Sequence, residues 1–123
     1  MIRIKFDRDS VCIGDDIYSH TESFDVDETM SVDSFINFLY SMPYVIASIS
    51  GGEATWILQL RKDIHFYIDI AVFAQQWSSV KYISHYTTIG EITKYYGSME
   101  FYAKYLRQID PDVVYNNLKE LRF

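Results

Sequence analysis

TWILQLRKDIHFYIDIAVF, residues 55–73, holds two apolar-rich runs on either side of Arg61-Lys62-Asp63. In the second run Ile64, Phe66, Ile68, Ile70 and Val72 share one parity, and His65, Tyr67, Asp69 and Ala71 the other. A period of two belongs to a strand, whose successive side chains point to opposite faces; a helix repeats every 3.6 residues. β-Branched and aromatic residues dominate both runs, as suits a pleated, half-buried surface. The stretch predicts strands over 55–60 and 64–73 with a turn at 61–63. One face lies on a core. Gln59, Arg61, His65, Tyr67 and Asp69 then line a face open at least in part to solvent.

Working outward, IRIKF (2–6) and ESFDV (22–26) alternate in the same way and predict an N-terminal hairpin with a long connection. Val32, Phe35, Ile36 and Leu39 fall at i, i+3, i+4 and i+7, the stripe of a helix. Ser31 suits its N-cap, Asp33 its first turn, and Pro43 its end. YVIASI (44–49) and VKYIS (80–84) read as further strands. The last third reads as helical. Thr88 and Glu91 have capping-box spacing, Ile89, Ile92 and Tyr96 share a face, and Gly97 suits the position after the helix. A second helix is expected from Ser98, with Met99, Tyr102, Leu106 and Ile109 inward. A third opens at Asp110-Pro111, with Val114, Leu118 and Leu121 as its stripe. The expectation is one α+β domain over residues 1–123: an antiparallel sheet, one helix after an N-terminal hairpin, and a helical C-terminal third. Its predicted core includes Phe35, Ile36, Leu39, Trp56, Ile68 and Leu106. The hairpin followed by a helix resembles a β-grasp opening.

At 123 residues and 49% apolar composition the chain has enough hydrophobic material for one core. No apolar run reaches the length of a membrane span, and the first residues lack the apolar region of a secretory signal. Cys12 is the one cysteine, so no internal disulfide forms. These features predict a cytoplasmic protein. The net charge of −6 is unevenly spread: residues 9–60 contain nine acids and no Lys or Arg. Such a segment repels phosphates, which argues against a nucleic-acid ligand, and it suits a basic protein partner. The predicted contact residues are Asp15, Asp16, Tyr18, Glu22, Asp25, Asp27 and Glu28. A solvated surface with no partner is the competing explanation.

No arrangement of residues points to catalysis. His20, His65 and His85 are far apart in sequence, and His65 and Asp69 sit about 13 Å apart along one strand, too far for a dyad. Asp7 and Asp9 open like a calcium-binding loop, but Val11 and Tyr18 occupy later ligand positions. Asp15 and Asp16 leave a nonstandard cation site as an alternative. Cys12 lies in an acidic neighbourhood that raises a thiol pKa, and Ser50-Gly51-Gly52 is turn chemistry. No catalytic, cofactor-binding or metal residue is assigned, and the chain is expected to be no enzyme. Tyr18, Tyr67, Tyr95 and Tyr105 fall on predicted loops or polar faces, a composition that suits protein contact.

SGGEATWIL (50–58) and IAVFAQQW (70–77), in an acidic chain of this size, resemble the small immunity proteins of bacterial polymorphic-toxin systems, including contact-dependent growth inhibition. The resemblance spans about residues 45–83. It implies a protein that binds and neutralises one cognate toxin domain in the cytoplasm of the producing cell. Many such toxins are nucleases with cationic clefts, which an acidic partner would fit. No contact residue is carried over from it. Two alternatives stay open: a general interaction module or assembly subunit, and a small enzyme with an unrecognised site.

Overall fold

A computed structural model of the chain describes residues 1–11, 21–42, 45–46, 52–63 and 65–120. In chain order it contains strands β1 (Ile2–Arg8) and β2 (Glu22–Val26), helix α1 (Val32–Tyr40), strands β3 (Thr55–Asp63), β4 (Phe66–Ala74) and β5 (Lys81–Tyr82), helix α2 (Ile89–Tyr96), strand β6 (Glu100–Tyr105) and helix α3 (Pro111–Glu120). The fold is α+β, built on one six-stranded sheet of order β2-β1-β6-β3-β4-β5. Every neighbouring pair is antiparallel except β1 and β6, which run parallel. The sheet is therefore mixed, not wholly antiparallel as expected.

β3 and β4 pair from Thr55↔Ala74 to Asp63↔Phe66. Leu58 faces Ala71 while Gln59 faces Asp69, so Ile70 is an extra residue on β4. A bulge of this kind changes which way the following side chains point. Ile68 and Ile70 lie on the main core, but so do Ala71 and Phe73, while Val72 joins a second cluster on the opposite face. The uninterrupted alternation expected along β4 thus breaks in its middle. Ile64, also expected on the apolar face, lies outside the described residues. Phe66, expected inward, is 55% exposed at the strand's start.

The main core sits under α1 and α2. Val32, Phe35, Ile36 and Leu39 of α1 are all buried, as their spacing requires. Phe35 packs between Phe6 and Phe101, at ring-centroid distances of 6.2 and 5.8 Å. Trp56 stacks on Phe73 and meets Tyr105 at 4.8 Å. Ser31 caps α1 by accepting from the Ser34 N–H. α3 packs on the other sheet face, where Val114 joins Ile57, Val72 and Ile83, with Leu106 and Leu118 half-buried beside them. Asp110 opens α3 by accepting from the Asp112 N–H. Arg8, expected in a loop, ends β1 and is buried, with Nε donating to the Val45 carbonyl at 2.9 Å.

The helix expected over 98–109 is not formed; residues 100–105 are strand β6, between β1 and β3. Phe101 and Ala103 are buried on the core side and Tyr102 and Lys104 face away, a period of two that a helical stripe through Met99, Tyr102 and Leu106 had masked. Both neighbours present ladder groups that only a strand satisfies, and that long-range pairing overrides local preference. Of the strand expected at 44–49, residues 45 and 46 lie in a turn and bend and the rest lie outside the described residues. The strand expected at 80–84 is reduced to the two residues of β5. Among the described residues no helix is long and apolar enough to cross a membrane.

Candidate functional site

β2 is an edge strand and carries Glu22 and Asp25, and Asp27 and Glu28 lie in the turn that follows it. Asp15, Asp16 and Tyr18 lie outside the described residues. Glu22, Asp25, Asp27 and Glu28 are all exposed, but they do not share one face. Phe24 and Val26 pack on the core, so Glu22 lies on the helix side of the sheet and Asp25 on the opposite side. Asp25 is also compensated: both of its oxygens accept from Arg3, each at 3.0 Å, across the β1–β2 ladder. That hydrogen bonding, helped by the Arg3 charge, holds the Asp25 carboxyl below its usual range. Asp27 shapes the next turn, accepting from the Thr29 N–H at 2.9 Å and the Thr29 hydroxyl at 2.8 Å, which likewise lowers its pKa.

That turn docks on α2. The Gly90 N–H donates to the Glu28 carbonyl at 2.9 Å, Ile89 N–H donates to Met30, and Val32 N–H donates to Thr87. A Cβ on Gly90 would lie 2.7 Å from the Glu28 carbonyl oxygen and 2.8 Å from the Glu28 Cβ. Only glycine lets the two backbones come this close. The contact places Glu28 beside the first turn of α2, which contributes a further exposed acid, Glu91. Thr88 caps the helix and its hydroxyl donates to Glu91 Oε1 at 2.8 Å, while Gly97 ends it with a φ of 72°.

Beside Glu91 stand three tyrosines. Tyr86 and Tyr95 meet at 4.6 Å, Tyr95 and Tyr96 at 5.0 Å edge to face, and Tyr86 and Tyr96 at 6.2 Å edge to face. The group is tied down from below: Ser84 Oγ accepts from the Tyr86 N–H and lies 3.4 Å from the Tyr96 hydroxyl. Partial burial among the rings, then the neighbouring Tyr95, Tyr96 and Glu91, push the Tyr86 phenol up. Tyr95 remains 65% exposed. The sequence offered Tyr95 as a contact residue, read Glu91 as part of a capping box and Tyr96 as part of the helix's inward face, and left Tyr86 unread. The i, i+4 spacing of Glu91 and Tyr95 was the available signal.

A second polar surface lies on the sheet face opposite α1 and α2, beyond the area covered by α3. Gln59 donates to Asp69 at 3.0 Å and accepts from Arg61 at 3.0 Å. The Arg61 guanidinium lies 3.5 Å from the centre of the Tyr102 ring. The Tyr102 hydroxyl donates to Asp9, whose other oxygen accepts from the Tyr105 N–H at 2.9 Å. Burial and the Asp9 carboxylate raise the Tyr102 pKa, with Arg61 opposing. Arg61, His65, Tyr67 and Asp69 are exposed or half-buried, as expected for an open face. Gln59 is the exception at 2% exposure, enclosed on the central strand within this network. Nearby, Lys5, Asp7, Arg61, Asp63, Glu100 and Tyr102 line a groove of about 320 Å³ with interleaved charges.

His65 and His85 are exposed, and His20 and Cys12 lie outside the described residues. Among the described residues no three His, Cys, Asp or Glu side chains converge to hold a metal. The chain matches none of the protein-family models, curated proteins or solved structures with which it was compared.

Proposed function

We propose that the chain is a non-enzymatic, cytoplasmic binder of a basic protein domain, of the kind an immunity protein makes with the nuclease domain of a toxin in contact-dependent growth inhibition. The observation that carries this is the docking of the acidic turn on α2. It brings the exposed Asp27 and Glu28 to the N-terminal end of α2, where Glu91 is also exposed. Carboxylates on such a surface speed and orient association with a cationic partner, and exposed tyrosines supply contact area at low entropic cost. Glu22 and Asp25 extend the acidic surface along β2, and Asp15, Asp16 and Tyr18 belong to the same proposal. The test is co-expression with candidate toxin domains, scored by growth rescue and pull-down, followed by binding kinetics at several salt concentrations. Glu22→Gln with Glu28→Gln should slow association more than it speeds dissociation, and the difference should shrink as salt screens it. A salt-independent on-rate, equal for variant and wild type, would show that the acidic surface only solvates the protein.

A second reading, a general interaction module, is favoured by the half-covered sheet. α3 packs over β3, β4 and β5, leaving Tyr67, 50% exposed, and the Arg61–Tyr102 stack on the open face. Loss of binding in Tyr67→Ala, with the acidic variants unaffected, would move the contact to that face.

A further inference from the structure

We infer that α3 is a hinged cover, held shut by Lys81, that opens without unfolding the main core and uncovers an apolar strip of the sheet. The strip is Ile57, Val72 and Ile83, on the face that also carries Gln59, Arg61 and Asp69. The cover works in this way whichever surface of the chain meets a partner.

The two clusters of buried side chains lie on opposite faces of one sheet, so α3 can leave its cluster while α1 and α2 stay on theirs. The three helices are held unequally. α1 buries four of its nine residues and α2 three of its eight, whereas α3 buries Pro111 and Val114 of its ten. Beyond Val114 the helix rests on half-buried Tyr115 and Leu118, and its other residues are exposed. Stabilisation by burial scales with the apolar area removed from water, so α3 has the least to lose on leaving the sheet. A helix of ten residues is marginal alone in water, so opening also melts α3.

The hinge lies in the turn before α3. Thr55 is fully buried and grips that turn three times: its N–H donates to the Arg107 carbonyl at 2.9 Å, its carbonyl accepts from the Leu106 N–H at 2.9 Å, and its hydroxyl donates to the Ile109 carbonyl at 2.6 Å. Residues 106–109 stay fixed to β3, and the chain swings from Asp110 onward. The latch is one side chain. Lys81 of β5 donates to Asp112 at 2.9 Å and sits over the rings of Trp77 at 4.6 Å and Tyr115 at 5.5 Å, so it reaches the first two turns of α3. Both members of the ion pair are about half exposed, where water and salt compete for them. A helix held by an exposed charge over a small apolar contact is released more easily than one held by a core stripe.

The test is amide hydrogen exchange of the full chain, followed by NMR at several denaturant concentrations below the unfolding transition. Amides of α3, Val114 included, should exchange through an opening with a small denaturant dependence, ahead of those of α1 and β3, which wait for global unfolding. Lys81→Gln should raise the α3 opening about 3- to 30-fold, the combined range of an exposed cation–π contact and an exposed ion pair, and leave the Phe35 and Leu39 amides unchanged. Lys81→Arg, which can keep both the ion pair and the stacking, should restore most of the protection. Exchange of α3 at the rate and denaturant dependence of α1 overturns the proposal, because the chain then opens only as one unit. Fraying confined to residues 115–120, with Val114 protected to the level of α1, also overturns it, since the strip would stay covered. So does an unchanged α3 opening in Lys81→Gln, or an equal rise in α1.

Discussion

Gly90→Ala should destabilise the protein, although helix propensity alone says the reverse. Gly90 is the second residue of α2 and its backbone is not left-handed, so alanine is conformationally allowed there. Replacing glycine by alanine inside a helix gains up to about 1 kcal/mol, and less in the first turn. Against this stands the contact with Glu28. The added Cβ would meet the Glu28 carbonyl oxygen at 2.7 Å, its Cβ at 2.8 Å and its carbonyl carbon at 3.2 Å. None of these is the tip of a flexible side chain, so the turn at 27–30 or the helix must move. Overpacking of this kind costs about 1–3 kcal/mol. A shift also stretches the Gly90–Glu28, Ile89–Met30 and Val32–Thr87 hydrogen bonds, at 2.9, 2.9 and 2.8 Å, each worth about 0.5–1.5 kcal/mol. The net loss should be about 1–3 kcal/mol, a fall in melting temperature of roughly 3–15 °C for a domain of this size. Calorimetry and chemical denaturation measure it. Resonances of Glu28 and Tyr86 should move in the variant, because the turn carrying one is pushed from the helix beside the other. A variant as stable as wild type, or more stable, refutes the close approach and with it the docking of the acidic turn on α2.

Leu39→Ala removes a fully buried side chain under the sheet and should cost about 2–5 kcal/mol by denaturation; a loss under about 1 kcal/mol would place α1 elsewhere. Tyr40 has an enclosed hydroxyl with no hydrogen-bond partner among the described residues, so Tyr40→Phe should be neutral or stabilising by about 1 kcal/mol. Burial pushes the Tyr40 phenol up to about 12, above its usual 10 in an unfolded chain. The folded state then keeps a proton that the unfolded state releases. This contribution to stability is complete below pH 10 and is lost as pH rises toward 12, and Tyr40→Phe should flatten that alkaline decline in a pH series of melts. Arg3→Ala should raise the Asp25 pKa, read by NMR titration, with little change in the unfolding midpoint, because both side chains are more than half exposed.

Elements whose pattern is local were legible in the residues themselves. α1 follows from one apolar stripe with Ser31 at its cap, α2 from Thr88, Glu91 and Gly97, α3 from Asp110-Pro111, and the β1–β2 and β3–β4 hairpins from alternation. Each depends on groups only a few residues apart, or on a connection that brings the next strand back beside the last. β6 depends on neighbours that are distant in sequence. Its side chains fit a strand and a poor helix about equally, and the unpaired ladder groups of β1 and β3 decide between them. The bulge at Ile70 is likewise invisible in composition, yet it sends Val72 to the opposite cluster. The candidate surface divides the same way. The acids and Tyr95 could be named from sequence as exposed, charged or aromatic. That Arg3 neutralises Asp25, that Glu28 comes to rest on Gly90, and that Tyr86 meets Tyr95 and Tyr96 are facts of three-dimensional contact. Charge and periodicity are properties of a segment, whereas a shared surface exists only once packing brings separate segments together.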